Sequence, residues 1–357
     1  MANLTTLGRP ADRTRFIVQE LRAEIVSGRL APGRQLPSRT EIEEQFAASS
    51  GTVQRALETL RSDGFVVVTG RQGTFVAEMP PHLTNYALVF ASDPTFPGAW
   101  TRFMTALSNE ARILQQDQNC KITQFYNVGR PRETEDLERL TEEVKAHRLA
   151  GIIFATSPGL VKHTPILDHP GIRRVAISNE DPGHTFDTVG LDGNSYWNKA
   201  AGYLAESGCK TVALLLAPGM EPHEALASFE AYGLRIEPEW IQCVDLGMPK
   251  YARNITHLMM HRRQTERPDG FVIADDNLVE YASAGLVDAG ISVPRELKVV
   301  AHCNFPWPTH SVLPLQRLGF DAREVLRECF RVLKGPQLAA DAEPIRIKAK
   351  YESELAN

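Results

Sequence analysis

Apolar residues near the start of the chain fall at helical spacing. Ile17, Leu21 and Ile25, with Val18, share one face, and "SGRLAPG" closes that helix with Gly28, Pro32 and Gly33. Ser38 followed by Glu41 is a capping-box pattern, opening a short helix whose apolar face is Ile42 and Phe46. After the tight connection "AASSG", Val53, Ala56, Leu57 and Leu60 mark a third helix that Asp63-Gly64 stops. The period then changes. "FVVVTGRQGTFV" is two β-rich runs around Gly70 to Gly73, a hairpin signal. "AEMPPHLTN" reads as a linker, with Pro80-Pro81 stiffening it and blocking helix continuation.

Beyond the linker, short β-branched runs alternate with amphipathic stretches. The strand candidates are "YALVFA", "KITQFY", "AGIIFA", "RRVAIS", "TVALLL", "DGFVIA" and "LKVVAH". Helical patterns at 99–117, 132–147, 194–208 and 276–290 separate them. This alternation predicts parallel sheets covered on both faces. The ~270 residues involved exceed what one doubly wound sheet usually needs, so two βα subdomains are expected.

Composition narrows the class. The chain has 357 residues, 43% hydrophobic and 23% charged, as a soluble protein of two or three domains would. It has no run of apolar residues long enough for a membrane span and no secretory signal pattern at its start. Five cysteines, scattered and in no CxxC array, read as reduced thiols of a cytoplasmic protein. Net charge is −5, all ten lysines lie at Lys121 or later, and ten arginines face nine acids through Pro81. Any nucleic-acid contact must therefore come from local placement of charge.

Three helices, a sharp turn before the third and a glycine-tipped hairpin describe a winged helix-turn-helix, whose third helix enters the major groove. The segment "ELRAEIVSGRLAPGRQLPSRTEIEEQFAASSGTVQRALETLRSDGFVVVTGRQGTFV" resembles the DNA-binding domain of GntR-type bacterial transcription regulators. The marks are "I-SG-L-PG-LPS", "GTV-RAL--L---G" and "G-GTFV", in order and at matching intervals. The helix-three stretch "SSGTVQRALETL" carries one basic residue, but its N-terminus can hold phosphate through backbone N–H groups without a side-chain cation. Ser49, Ser50, Gly51 and Thr52 are the candidates there. Gln54 and Arg55 are candidates for base edges, and Arg71, between Gly70 and Gly73 at the wing tip, for a minor groove or the backbone. Two departures from the resembled pattern stand out. "LPSRT" puts Arg39 one residue early and Thr40 where relatives carry the arginine, and Ser50 replaces another arginine. Weaker non-specific binding and more reliance on dimerisation are expected. The competing readings are a winged helix used only for protein contacts and, for Arg39 and Arg55, a solvated helix face.

The rest of the chain resembles, more loosely, the effector domain of the lactose/galactose-repressor family, which shares its fold with periplasmic sugar-binding proteins. The marks are "RLAGIIFATS", "FDTVGLDGNSYWNKAAGYLAESGCKTVALLL" and "RPDGFVIADDNLVEYASAGLVDAGISVPRELKVVAH". The resemblance implies three chain crossings between subdomains, expected near 191, 303 and 335, with a ligand in the cleft beyond the strand ends. Strand ends then supply the candidate pocket: Ser92, Asp93 and Trp100, Thr156, Asn179, Asp192 and Asn194, Asp276, and Asn304 with Trp307. Carboxylates and amides beside tryptophans suit a sugar, because acids and amides meet hydroxyls while an aromatic face covers the ring. The matching family position singles out Asp276, for which a helix cap is the competing role. For Trp100 and Trp307 the competing role is core packing. Ala225 stands where some sugar-binding relatives have an arginine, and Cys303 and Asn304 replace common aspartates. These changes argue against a simple monosaccharide.

The expected fold is α/β: a winged helix-turn-helix over 10–79, a linker over 80–85, and a two-subdomain doubly wound parallel-sheet domain over 86–357. Adjacent acids such as Asp275 and Asp276 point in different directions, and no Walker-A loop, GxSxG, HExxH or GxGxxG is present. His302 and His310 lack ligand spacing. No enzyme, metal or cofactor is expected. The chain reads as a cytoplasmic, homodimeric repressor binding operator DNA and a small carbohydrate-like effector, with no membrane partner. Alternatives are an activator, a sensor of a non-sugar polar metabolite, or an enzyme acting on a carbohydrate.

Overall fold

The face of Ile17, Leu21 and Ile25 is buried on helix α1 (Pro10–Val26). The computed structural model describes residues 10–96, 98–117, 119–129, 134–180, 186–336, 339 and 343–355, apart from the side chains of Pro10 and Arg71. The capping box forms: the Glu41 carboxylate accepts the Ser38 N–H at 2.7 Å, and Ser38 Oγ accepts the Glu41 N–H at 3.3 Å. It starts α2 (Arg39–Gln45), and α3 (Ser50–Ser62) follows after one tight turn. An antiparallel hairpin, β1 (Val66–Val68) with β2 (Thr74–Val76), pairs Val66 with Val76. Ile42, Phe46, Val53, Leu60 and Phe65 complete one core with the α1 face.

Pro80 is extended, and Pro81 occupies the first position of a single-turn helix, α4 (Pro81–Thr84). The linker was expected to block helix. Proline is tolerated at a first helical position because that N–H has no intrahelical partner to lose. This junction is tied to its surroundings. Asp63, capping the end of α3, accepts from Arg22 of α1 and from Arg148 of the larger domain at 2.7 Å. The Phe65 ring stacks on His82 at 5.8 Å between centroids.

The larger domain has two six-stranded sheets. The first begins with β3 (Asn85–Val89), α5 (Arg102–Asp117), β4 (Lys121–Phe125), α6 (Glu135–Lys145) and β5 (Gly151–Phe154). It continues with α7 (Pro165–Asp168), β6 (Arg173–Ile177) and β7 (Asp187–Asp192). The helix expected over 132–147 starts partly outside the described residues. The chain then passes through α8 (Gly193–Glu206) to β8 (Val212–Leu216), α9 (Pro222–Ala231), β9 (Ile241–Cys243) and α10 (Tyr251–Met260). The second sheet is completed by β10 (Gly270–Ile273), α11 (Asp276–Asp288), β11 (Lys298–Phe305) and β12 (Gln316–Asp321). Helix α12 (Ala322–Lys334) and β13 (Ile345–Lys348) return to the first sheet, and β14 (Lys350–Tyr351) closes the second. The orders are β13-β7-β6-β5-β3-β4 and β14-β12-β11-β10-β8-β9, parallel except for the β12–β14 pair. Val, Ile, Leu and Ala bury both faces of the central strands, as parallel sheets require.

The chain changes sheets after Asp192, after Asp321 and between Lys348 and Lys350. The crossing expected near 303 instead falls inside β11, which pairs with β10 and β12. The one expected near 335 follows α12, which packs on α5 and β6 of the first sheet and leads into β13 of that sheet. The cause is β12, whose "QRLGFD" mixes polar and apolar residues and gives no strand-like run. The three passages lie side by side: Lys348 is opposite Asp192, and Lys350 is opposite Gly319. Ser195 Oγ also accepts the N–H of Ala349 at 2.8 Å.

Candidate functional site

At the start of α3, Ser49 is extended and its O accepts the N–H groups of Thr52 (2.9 Å) and Val53 (3.1 Å). Thr52 is 4% exposed and its hydroxyl lies 2.9 Å from Ser49 Oγ, so it supports the turn from inside. Ser50 and Gly51 are exposed, and no atom lies within 4 Å of where a Gly51 Cβ would stand. An anion at this helix end would thus meet Ser50 and Gly51 first. Exposed Arg55 donates from Nε to Gly51 O at 3.1 Å, folding back toward the same end. Gln54 accepts from the exposed Arg39 guanidinium and donates to Glu58 at 2.6 Å. Both ends of the Gln54 amide are engaged once, which leaves one N–H and one lone pair to meet a base edge. Thr40 is exposed beside Arg39.

Gly73 follows the wing turn at φ +118°, and a Cβ there would stand 2.7 Å from Gln35 Nε2. Gln35 itself donates to Gln72 O at 2.8 Å, so the wing tip is fixed against the α1–α2 connection. The Arg71 side chain lies outside the described residues.

A cavity of about 500 Å³ opens between the two sheets of the larger domain. Of the ten predicted pocket residues, Asn179, Asp276 and Asn304 line it. Asp276 opens α11 and is 1% exposed. Asn304 Nδ2 donates to its Oδ2 at 2.8 Å, and Thr309 donates to its backbone O at 3.2 Å. Burial pushes the Asp276 carboxyl up to about 6, with His302 and Asn304 pulling it down and neighbouring Asp275 adding to the rise. The cap of α11 is supplied by Asp275, which accepts the Asn277 N–H at 2.8 Å. Asp276 is therefore not the helix cap.

The other seven candidates do not line it, although Asp192 sits between the lining residues Leu191 and Gly193. Ser92 is buried and donates to Ala99 O at 2.8 Å, while Asp93 accepts from Thr95 in the same loop and from Asn127 in the turn after β4. Trp100 packs on Phe90 and Tyr126 and donates to Thr105 at 2.8 Å. Thr156 borders a separate small hollow beside Val161. Asp192 caps α8 through the Ser195 N–H at 2.9 Å, and Asn194 is exposed on that helix. Trp307, 43% exposed, donates to Glu110 at 2.8 Å, away from the cavity lining.

Sequence reasoning missed the aromatic wall. Tyr196 and Trp197 from the first turn of α8, Phe103 from α5 and Phe320 from β12 all line the cavity, as do His302 and the acids Glu221 and Glu224. The signal was present in "GNSYWNK": two bulky aromatics immediately after a crossing. Ala225, the departure noted at a family arginine, is wholly buried behind Glu224.

Residues 13–76 match the model for bacterial regulatory proteins of the gntR family, and residues 201–347 match the periplasmic binding protein-like domain. The chain joins a gntR-type DNA-binding domain to a periplasmic-binding-protein-like domain. It is a DNA-binding transcription regulator. It is 21% identical over 333 residues to the arabinose metabolism transcriptional repressor of Geobacillus stearothermophilus, covering 86% of this chain and 88% of that one. A LacI-family regulatory protein from Chloroflexus aggregans has the same fold, with a TM-score of 0.58 at 18% identity over 75% of this chain and 96% of that one. A LacI-family regulator from Lactobacillus casei with bound sucrose superposes with a TM-score of 0.55 at 16% identity, over 75% of this chain and 98% of that one. Among the described residues, no helix is long and apolar enough to cross a membrane.

Proposed function

We propose that this regulator is a repressor whose operator affinity is set by a small carbohydrate-like effector held in the interlobe cavity. One observation carries the reading. A roomy cavity holding a buried acid–amide pair and an aromatic wall sits in the same chain as a winged helix. The name of the arabinose metabolism repressor and the sucrose bound to the Lactobacillus casei regulator support a sugar and negative control. In this reading residues 10–79 read DNA, 80–85 connect, and 86–357 bind effector and dimerise. Dimerisation supplies what a weakly charged helix lacks, since two linked half-site contacts act at high effective concentration. The protein acts inside the cell, on DNA.

The test is enrichment of operator sequences from a randomised DNA pool by the full chain. An inverted repeat is expected, and Arg55→Ala should weaken its binding by about 1–3 kcal/mol while relaxing preference at one position per half-site. Recovery of no enriched sequence, or an unaltered preference in the variant, would remove helix α3 from its assigned role.

A further inference from the structure

The charge of the cavity says more about its occupant than its size does. Four carboxylates line it: Glu221 and Glu224 on its rim, Asp275 and Asp276 within. Among the described residues, no lysine or arginine lines it. Arg102, whose field reaches Asp276, is largely exposed and pairs with Glu280 at 3.3 Å. Asp276 therefore faces the cavity as a buried acid with one amide donor and no salt bridge among the described residues, His302 being the lining residue whose field favours its charge. A buried carboxylate of this kind costs free energy unless a cation meets it.

Hydrogen-bonding capacity points the same way. Asn179, Asn277 and Asn304 each commit amide hydrogen to a protein oxygen, at 2.9, 2.7 and 2.8 Å. One amide hydrogen of each remains, but the four carboxylates make the lining richer in acceptors than in donors, since a carboxylate only accepts. Tyr196 lines the cavity and is 4% exposed, and its buried hydroxyl has no hydrogen-bond partner among the described residues. Burial pushes that hydroxyl well up, so it stays a neutral donor toward a ligand oxygen. Beside it stands Trp197, and an aromatic face attracts a cation.

We propose that the effector is a cationic, donor-rich small molecule: an amine-bearing polyol whose ammonium pairs with Asp276 and whose hydroxyl meets Tyr196. This inference rests on the sensor reading above and names the class of molecule sensed. An ammonium supplies three donors and the missing charge together, whereas a phosphate or carboxylate would meet four like charges.

The experiment is a thermal-shift titration of the full chain at about pH 7, where an amine is largely protonated and Asp276 largely ionised. The probes are glucose, galactose and mannose, their 2-amino-2-deoxy counterparts and their 6-phosphates. The amine should bind about tenfold or more tightly than its neutral counterpart in at least one set, as a charge-assisted hydrogen bond implies. The phosphates should give no shift, and Asp276→Asn should abolish the preference for the amine. Neutral sugars binding as well as amines would overturn the cationic proposal and leave the sugar-sensor reading standing. Tightest binding by a phosphate would do the same. A preference for the amine that survives in Asp276→Asn would overturn the pairing with Asp276. No shift from any of the nine would overturn this proposal, and no shift from neutral disaccharides such as sucrose either would overturn the carbohydrate reading with it.

Discussion

At the scale of one residue, Asp276 spends stability to hold a charge. Its folded-state pKa of about 6 lies above the ordinary 3.8, so folding favours the protonated acid. The associated stability is fully present below the unfolded pKa and is lost as pH rises through the folded one. Asp276→Asn removes the charge and keeps an oxygen for Asn304 to donate to. At about pH 8 the variant should be more stable than its parent by about 2–3 kcal/mol, and at about pH 4 the two should unfold alike. Denaturant melts across that range measure the gap, and equal stabilities at the alkaline end would mean the carboxylate is already neutralised in the fold. The same residue shows where reading from sequence reached and where it stopped. A strand-end rule brings Asp276, Asn304 and Asn179 to the cavity, because strand ends are set by short local runs. It misplaces Ser92 and Asp93, whose loop is held by its own hydrogen bonds to Ala99 and Thr95 and by one from Asn127 beyond β4.

Among elements, the end of α3 is the joint between the winged-helix head and the larger domain. Asp63 is shared by Arg22 within the head and Arg148 in the larger domain. Arg22 is largely buried, and burial lowers its pKa, so losing Asp63 would strand a cation. Arg148 keeps Glu143 at 3.0 Å and is more exposed. Asp63→Ala should therefore destabilise the chain by about 3 kcal/mol, and Arg148→Ala by no more than about 1 kcal/mol. Similar losses in urea melts of the two variants would show that Arg22 draws no stability from Asp63. Elements of this head were legible because each signal is local: a capping box, a glycine stop, a hairpin. Strands β12 and β13 were not, because "QRLGFD" and "IRIK" carry charged residues along with their apolar ones and become strands only by pairing with neighbours. Missing β12 displaced the second crossing from Asp321 to the region of Cys303.

Over the whole molecule, the proposed sensing and DNA binding would share one coupling free energy. If effector alters operator affinity by some factor, operator alters effector affinity by the same factor. For whichever small molecule stabilises the full chain, calorimetric titrations with and without saturating operator should give dissociation constants differing by about 5–150-fold. Identical constants would leave the two domains thermodynamically independent. The side-by-side crossings after Asp192, after Asp321 and at Ala349 add a geometric consequence. Leu191 and Gly193 of the first passage and Phe320 of the second also line the cavity, so the pivot touches the guest. Three adjacent tethers resist sliding and leave rotation as the easy movement, like a gauge whose jaws share one axle. If the cavity holds the proposed effector, the width of that guest is converted into an angle, and a series of guests of increasing girth should set a graded series of operator affinities.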